Sequence, residues 1–330
     1  MKGGDASSFR ALPLDGLALI YNQAPKWKFV SLCPTFLSFH GMDALEVPSA
    51  VHASRARLLI PETPLLISGA FGGPFVVFIL TPLRNALTLA SQDRVSSALQ
   101  IYKRIFEGRV ARGWTGGIYP SIPAIPQFVT LGPLYHVYTG LVGPYPALLL
   151  TAATESAFTF GAHSRNAQLA FNESVAPHQR IKRISSVFTI LGPGIIPHIC
   201  RNCVGMTGIR IFSTPVRSQL DSVFPNSSDK VKRTASDFIG SLMSGILSTP
   251  FNQTFNFFAT SQQVHHLSRT ERLRVAKNFL KGQYFVRTAD NRLRPSKLML
   301  RDVALRSIYS MGLFGIYATL ERNLVDYWYS

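Results

Sequence analysis

Cysteine, histidine and serine are the residue types in this sequence that could support catalysis or bind a metal. Cys200 and Cys203 form a Cys-x-x-Cys pair on one helical face, but a metal site needs two more ligands, and His198 is expected to face elsewhere. His265 and His266 stand in a polar segment with no second pair at ligand spacing. Ser, His and acidic residues show no nucleophile arrangement, and no phosphate-binding Gly loop precedes a helix with Lys. We therefore expect no enzyme, no metal site and no cofactor.

The composition favours a membrane protein. Hydrophobic residues make up 46% of the 330 residues and charged residues only 15%, with a mean hydropathy of +0.15. Lys and Arg number 34 against 17 Asp and Glu, and the formal charge of +17 suits anionic partners. Residues 63–83 and 113–154 contain no Asp, Glu, Lys or Arg, and each is long enough to cross about 30 Å of hydrocarbon. A nucleic-acid-binding domain does not need such stretches, so we expect membrane lipid and not nucleic acid as a partner.

A weak threefold repeat organises the chain. The segments 81–86, 162–167 and 249–254 resemble one another, and each ends an apolar helix that contains small residues. An amphipathic stretch and a second apolar span follow each copy, which predicts an all-α membrane protein with six transmembrane helices in three helix–surface helix–helix repeats. The surface helices are predicted at 96–106, 180–190 and 267–280. The spans are predicted at 64–92, 118–142, 144–172, 195–218, 232–262 and 300–326.

The repeats divide the chain into four parts. Residues 1–61 form an N-terminal extension with four acidic residues, whereas transit peptides are acid-poor, so we expect the extension to be retained outside the bilayer. Repeat 1 covers residues 62–142 and repeat 2 covers residues 143–228. Repeat 3 covers residues 229–330 and includes an Arg-rich polar insert at 283–297.

The order of these elements is similar to that of the mitochondrial carrier family. Carriers contain three copies of a Pro-marked odd helix, an acidic-Gly turn, an aromatic-x-Gly and an even helix. The first copy here has Pro82, the acidic-Gly turn at 107–108 and the aromatic-x-Gly at 114–116, and residues 194–202 read like the start of a carrier's fourth helix. The resemblance covers residues 62–326 and implies the carrier fold in the mitochondrial inner membrane.

The positions that would form the matrix gate of a carrier have lost their acids. Odd helices of carriers end in Pro-x-acid-x-x-base, and the resulting ion pairs close the matrix side. The corresponding positions here are Pro82, Arg84, Leu87, His163, Arg165, Gln168, Pro250, Asn252 and Phe255. Because like charges repel in a poorly screened site, we expect Arg84 and Arg165 to face each other without a partner and the gate not to lock in the usual way.

The cytoplasmic gate is altered in the same way. Even helices of carriers contain aromatic-acid-x-x-base, and no acid stands at these positions here. The corresponding residues are His136, Thr139, Thr214, Arg217, Thr319 and Arg322. The loss of both sets of acids argues against ordinary transport, although hydrogen-bonded or apolar gates are compatible with the sequence.

The family's substrate-contact positions map onto Pro123, Arg201, Asn202 and Arg306. Two guanidinium groups facing one cavity would suit a dicarboxylate or keto acid, because each can bind a carboxylate through two parallel hydrogen bonds. The alternative is that these arginines are relics of a lost site, paired with lipid headgroups or with Glu155.

Basic residues on the predicted surface helices would lie at an anionic leaflet. Cardiolipin or another anionic lipid could bind there, held by the residues Gly108, Arg180, Lys182, Arg183 and Gly192. A solvated basic face is the alternative interpretation.

The sequence favours a structural or accessory role, as a subunit of a larger inner-membrane complex such as a respiratory assembly. The N-terminal extension and the insert at 283–297 support this interpretation, because a free-standing carrier does not need these additional surfaces. One alternative is a divergent carrier that exchanges carboxylate or keto-acid anions by means of Arg201 and Arg306. Another is an outer-membrane carrier homologue that acts in insertion or morphology.

Overall fold

The computed structural model describes residues 63–182, 184, 186–288 and 290–329. The predicted extension 1–61 and Arg183 lie outside the described residues. The chain divides into two units, Met1–Ala56 and Arg57–Ser330, and every described residue belongs to the second. This unit is mostly helical, so the all-α fold class is confirmed.

Long helices occupy the positions predicted for the apolar spans, and the helix predicted at 118–142 has those bounds in the structure. Two π-helical turns, Ser68–Gly72 and Gly208–Phe212, interrupt the first and fourth of these segments. The α-helices are α1 (Thr63–Ile67), α2 (Gly73–Ile79), α3 (Thr81–Ala90), α4 (Ala98–Ile105), α5 (Ile118–Val142), α6 (Pro144–Ser174), α7 (Ile195–Thr207), α8 (Ser213–Val223), α9 (Asp229–Thr260), α10 (Arg269–Tyr284) and α11 (Lys297–Tyr329). Short 3₁₀ helices lie at Val110–Trp114, Pro177–Gln179 and Gln262–His266.

The first apolar segment bends by 49° between Ile79 and Thr81. Pro82 lies in the first turn of α3 and has no backbone N–H, so it cannot continue the hydrogen bonding of the preceding helix. The bend directs α3 toward α4 and α11, where Ile101 and Leu305 pack in one apolar cluster with residues of α3. The Pro that marks the repeat in the sequence therefore marks a change of direction in the structure.

The first and third predicted surface helices are confirmed as α4 and α10. Each begins with a capping box, formed by Ser97 with Gln100 and by Ser268 with Glu271. The insert at 283–297 contains a hairpin, in which strand β1 (Phe285–Arg287) pairs antiparallel with strand β2 (Leu293–Pro295).

The surface helix predicted at 180–190 is wrong, because the described residues of this segment form no helix. Side chains of α6 give the segment the hydrogen bonds that a helix would give itself. The Asn172 amide donates to the Ile181 carbonyl at 3.0 Å and accepts from the Ile181 N–H at 2.9 Å. The Gln168 side-chain oxygen accepts from the Ile184 N–H at 2.9 Å.

The long helices bury polar residues and expose apolar ones. Along α9, Ser241, Ser244 and Ser248 are buried, whereas Ile246 and Leu247 are 43% and 50% exposed. A helix of a water-soluble protein normally shows the reverse pattern, with its apolar stripe facing inward. The helix α9 therefore presents apolar side chains outward and polar side chains inward.

Length and apolarity alone identify fewer membrane-crossing helices than the sequence predicts. The segment Lys297–Trp328 is long and apolar enough to cross a membrane, and the bent segment from Thr63 to Ala90 would be a second if it counts as one span. Within the described part of the chain no other helix meets this criterion. In α6 and α9, polar residues that face the interior lower the mean hydropathy.

Candidate functional site

A cavity of about 590 Å³ lies between the long helices. Residues of α2, α3, α5, α6, α7, α9 and α11 line it. Five arginines and three carboxylates stand among the described lining residues. The cavity wall therefore has an excess of positive charge.

Three of the four predicted substrate-contact residues, Arg201, Asn202 and Arg306, line this cavity. Pro123 is not among the described lining residues, and Gln127, about one helical turn further along α5, contributes instead. The two arginines differ in how far the protein itself uses their N–H groups.

Arg201 is hydrogen-bonded within the protein. Its Nε and Nη2 donate to the Asn202 side-chain oxygen at 3.0 and 2.8 Å. Nη2 also contacts His163 Nδ1 at 3.0 Å and His198 Nε2 at 2.9 Å, and the guanidinium carbon lies 5.2 Å from the centroid of the Phe255 ring. This arginine connects α7 to α6 and α9, and it has few N–H groups left for a ligand.

A buried pair of histidines accompanies Arg201. His163 Nδ1 lies 3.2 Å from His198 Nε2, and His198 Nδ1 lies 3.1 Å from the Ser156 hydroxyl. Arginine only donates, so an imidazole nitrogen that binds Arg201 Nη2 acts as an acceptor. Neutral imidazoles satisfy this pattern. Sequence reasoning missed the pair, because residues 35 positions apart on different helices leave no local spacing signal.

Arg306 makes fewer hydrogen bonds within the protein than Arg201 does. Its Nε donates to the Ser248 hydroxyl at 3.1 Å, and its guanidinium carbon lies 5.2 Å from the centroid of the Tyr309 ring. Glu155 accepts from Gln127 Nε2 at 2.7 Å. Among the described residues, no ion pair within 4.0 Å joins Glu155 to either cavity arginine, so the expected pairing with Glu155 is at most a longer-range attraction.

Arg84 and Arg165 do not face each other, and the expectation that they would is wrong. Arg84 points into the cavity, donates to the Tyr309 hydroxyl and lies over its ring. Arg165 donates to the Ile184 carbonyl at 3.0 Å and lies 4.9 Å from the centroid of the Tyr119 ring. The extended segment that replaces the second surface helix supplies the acceptor that draws Arg165 away from the cavity.

The other matrix-gate positions are joined by hydrogen bonds and apolar contacts. Gln168 Nε2 donates to the Ala259 carbonyl at 3.1 Å, and Phe255 packs on the rings of Phe160 and His198. Asn252 lines the cavity at 4% exposure. The remaining positions lie on the same helices, with Pro82 and Leu87 buried on α3 and Pro250 inside α9.

The cytoplasmic-gate arginines have acidic partners that the sequence comparison did not reveal. Arg322 pairs with Asp237 at 2.7 Å, and Arg217 pairs with Asp229 at 2.6 Å. Both aspartates come from the first turns of α9, so they do not occupy the family's acidic positions. Three other predicted gate residues make no ion pair among the described residues. His136 lines the cavity, Thr319 donates to the Gly315 carbonyl of its own helix, and Thr214 is exposed.

Of the predicted lipid-binding residues that the structure describes, Gly108, Arg180 and Lys182 are exposed. Arg180 and Lys182 are exposed on the extended segment, not on the surface helix predicted for them. Gly108 is exposed with a φ of +84°, a left-handed conformation that favours glycine, and Gly192 is half-buried beside Phe160.

Comparison with known proteins adds no further constraint on this cavity. Neither a protein-family model nor a curated protein matches the chain. The chemistry of the cavity therefore follows from its geometry: guanidinium groups, neutral imidazoles and amides favour binding of an anion.

Proposed function

We propose that this chain is a carrier-fold protein of the mitochondrial inner membrane that serves as a structural or accessory subunit of a larger complex. The order of elements supports the fold. Two of the three repeats follow the sequence odd helix, surface helix, even helix, and the second replaces its surface helix with an extended segment. Pro82 and Pro250 lie at comparable places on the first and third odd helices.

The exposed apolar side chains of the first segment, α6 and α9 support insertion of these segments in the bilayer. Exposed Phe71 and Phe75 on the first segment, Leu149 on α6 and Leu247 on α9 give these helices an apolar exterior. Many buried serines and threonines donate to backbone carbonyls of their own helices, as Thr151, Ser156 and Thr249 do. Lipid suits such an exterior, whereas water would not, because contiguous exposed apolar surface of this extent normally marks an interface or a membrane contact.

The observation that carries the structural role is the way α11 closes the end of α3. Arg301 donates to the carbonyls of Ala90, Asp93 and Ser96 at 2.7, 2.8 and 3.0 Å, and to the Asp302 carboxylate at 2.8 Å. Arg301 therefore binds the last carbonyl of α3, which a helix end leaves without a donor, and two carbonyls of the segment that follows α3. If α11 moved away from the end of α3, the Arg301 guanidinium and these carbonyls would lose their hydrogen bonds together. A contact that stays closed is therefore favoured over a gate that opens and closes during transport.

A second candidate function, exchange of carboxylate anions, is supported by the cavity itself. Its volume of about 590 Å³ accommodates a small organic anion, and Arg306 faces it with N–H groups that no described residue accepts from. The fixed closure around Arg301 favours the structural role over this alternative.

Native electrophoresis tests the structural role. We expect the full chain, solubilised from mitochondria in a mild detergent, to migrate far above the 36.5 kDa of its monomer. A free-standing carrier solubilised in the same sample is the control. A monomer-sized band under conditions that preserve the respiratory complexes would contradict the proposal.

The membrane arrangement has its own test. Six spans place both termini on the same side of the membrane, so protease protection of N-terminal and C-terminal tags should give the same result for both. Protection of one terminus and cleavage of the other would exclude six spans without affecting membership of a complex.

A further inference from the structure

Three guanidinium groups converge on one region of the cavity. The guanidinium carbons of Arg84 and Arg306 lie 5.5 and 5.2 Å from the centroid of the same Tyr309 ring. Arg201 lines the same cavity, with its guanidinium carbon 5.2 Å from the centroid of the Phe255 ring. Within the described residues, none of the three arginines has an acidic partner within 4.0 Å.

Two buried donors on cavity-lining residues have no acceptor within the described part of the chain. Arg84 Nη1 and Asn252 Nδ2 are buried and have no hydrogen-bond partner among the described residues. Both side chains line the cavity, and Asn252 is 4% exposed. A buried donor without an acceptor is costly, and more so when it belongs to a charged group.

The remaining wall groups do not balance this charge. Glu155 already accepts from Gln127, and the two imidazoles nearby accept from Arg201. The Tyr309 hydroxyl accepts from Arg84 Nη2 and leaves Nη1 unused. Among the described lining residues, three carboxylates stand against five guanidinium groups, so positive charge remains in excess.

We propose that the cavity binds a small oxyanion, of the phosphate or carboxylate class, held by Arg84, Asn252 and Arg306. Guanidinium forks and an amide N–H₂ are donors that match the oxygens of such an ion. The bound ion takes the place of the acids that the matrix-gate positions lack, since Arg84 and Asn252 occupy two of those positions. Arg201 is not one of the three proposed ligands, because its Nε and Nη2 already bind Asn202 and the two histidines. The site does not depend on membership of a complex.

Ligand-dependent thermal unfolding tests this site. The purified full chain in detergent is titrated with sodium phosphate or sodium succinate, with sodium chloride keeping the ionic strength constant. We expect a saturable rise in the unfolding midpoint with at least one oxyanion and none with chloride. A response to phosphate alone assigns a phosphoryl group, and a response to succinate alone assigns a carboxylate.

Arginine variants locate the response. Arg84→Gln and Arg306→Gln should each weaken the apparent affinity by about tenfold or more, because each removes a charge-assisted hydrogen bond. Arg165→Gln is the matched control, since Arg165 stands at the equivalent position of the second repeat but binds the Ile184 carbonyl outside the cavity. The Arg165→Gln variant should bind the oxyanion as tightly as the wild type does.

Asn252→Ala keeps the test decisive if an arginine variant does not fold. It removes one neutral donor and should weaken binding by roughly fivefold. The proposal is overturned if neither oxyanion shifts the midpoint, if chloride acts as strongly as both, or if Arg84→Gln and Asn252→Ala bind as tightly as Arg165→Gln.

Discussion

The two ends of the helix assembly are closed by different interactions. At the hydrogen-bonded end, where α3, α6 and α9 finish and α11 begins, Arg301 and Gln168 bind backbone carbonyls of neighbouring segments. At the ion-pair end, where α9 begins and α11 finishes, Arg322 pairs with Asp237 and Lys232 pairs with Asp221. Buried hydrogen bonds are insensitive to salt, whereas ion pairs near the surface are screened. The first end also contains an ion pair, Arg301 with Asp302, but that pair is buried, so we expect the hydrogen-bonded end to resist opening more than the ion-pair end.

Arg301→Met should have the largest effect on stability. The change leaves Asp302, which is fully buried, without its ionic partner and removes the donors to the Ala90 and Asp93 carbonyls. Breaking a buried ion pair in this way costs about 3–5 kcal/mol. Chemical unfolding of the full chain in detergent measures the cost.

Arg294→Met is the control for this change, because Arg294 is exposed on strand β2. It should unfold like the wild type. Equal stability of the Arg301 and Arg294 variants would remove the distinction between the two ends.

Gln168→Leu should have the next largest effect. Its amide links α9, by the Ala259 carbonyl, to the extended segment, by the Ile184 N–H. Loss of both bonds leaves buried groups unpaired and should cost about 1–3 kcal/mol, with no dependence on salt. Gln219→Leu, at an exposed position of α8, is the comparison in the same unfolding measurement. A cost that disappeared in high salt would argue against a buried hydrogen bond.

Arg322→Gln tests the ion-pair end and should cost about 1 kcal/mol or less. The side chains of Arg322 and Asp237 are 23% and 21% exposed, so solvent weakens their attraction. The difference from the wild type should shrink when the salt concentration rises from about 0.05 M to about 1 M, because the Debye length falls to about 3 Å. A cost that stayed constant over this range would show that this end is as fixed as the other.

The smallest predicted effect concerns pH and Asp93. Burial raises the pKa of its carboxyl, but the N–H groups of Ser96 and Val95, the Ser96 hydroxyl and Arg104 outweigh burial and lower that pKa. A carboxyl with a lowered pKa in the folded state stabilises the fold above its unfolded pKa of about 4 and loses this contribution as the pH falls through the folded value. Asp93→Asn should therefore flatten the fall in unfolding midpoint below about pH 4. If the unfolding midpoint of Asp93→Asn falls with pH as steeply as that of the wild type, Asp93 contributes nothing to the loss of stability in acid.

The positions of the long helices could be predicted from the sequence because their signals are local. Uncharged apolar runs, small residues and the Pro at position 82 mark α1–α3 and α5 without knowledge of the fold. The surface helix at 180–190 could not be judged in this way. Gly161 of α6 lets the extended segment approach so closely that a Cβ there would overlap the Val187 carbonyl oxygen, and that contact exists only once the chain has folded.

Pairings in the cavity were hidden for the same reason. His163 and His198 meet across two helices, and Arg322 reaches Asp237 from 85 residues away. The family resemblance identified Arg201 and Arg306 as cavity residues, but it could not show that Arg201 is bound by its neighbours while Arg84 and Arg306 retain free donors. Residue type predicted the chemistry of the cavity, and tertiary contacts decided which residues are available for it.

Anion exchange by the purified full chain in liposomes tests the central claim most directly, namely that the hydrogen-bonded end stays closed. Liposomes loaded with succinate, oxoglutarate or ADP are given the labelled external counterpart. We predict uptake no faster than in protein-free liposomes, for the wild type and for Arg306→Ala alike. Rapid, saturable counter-exchange that Arg306→Ala abolishes would contradict the account and show that this end opens.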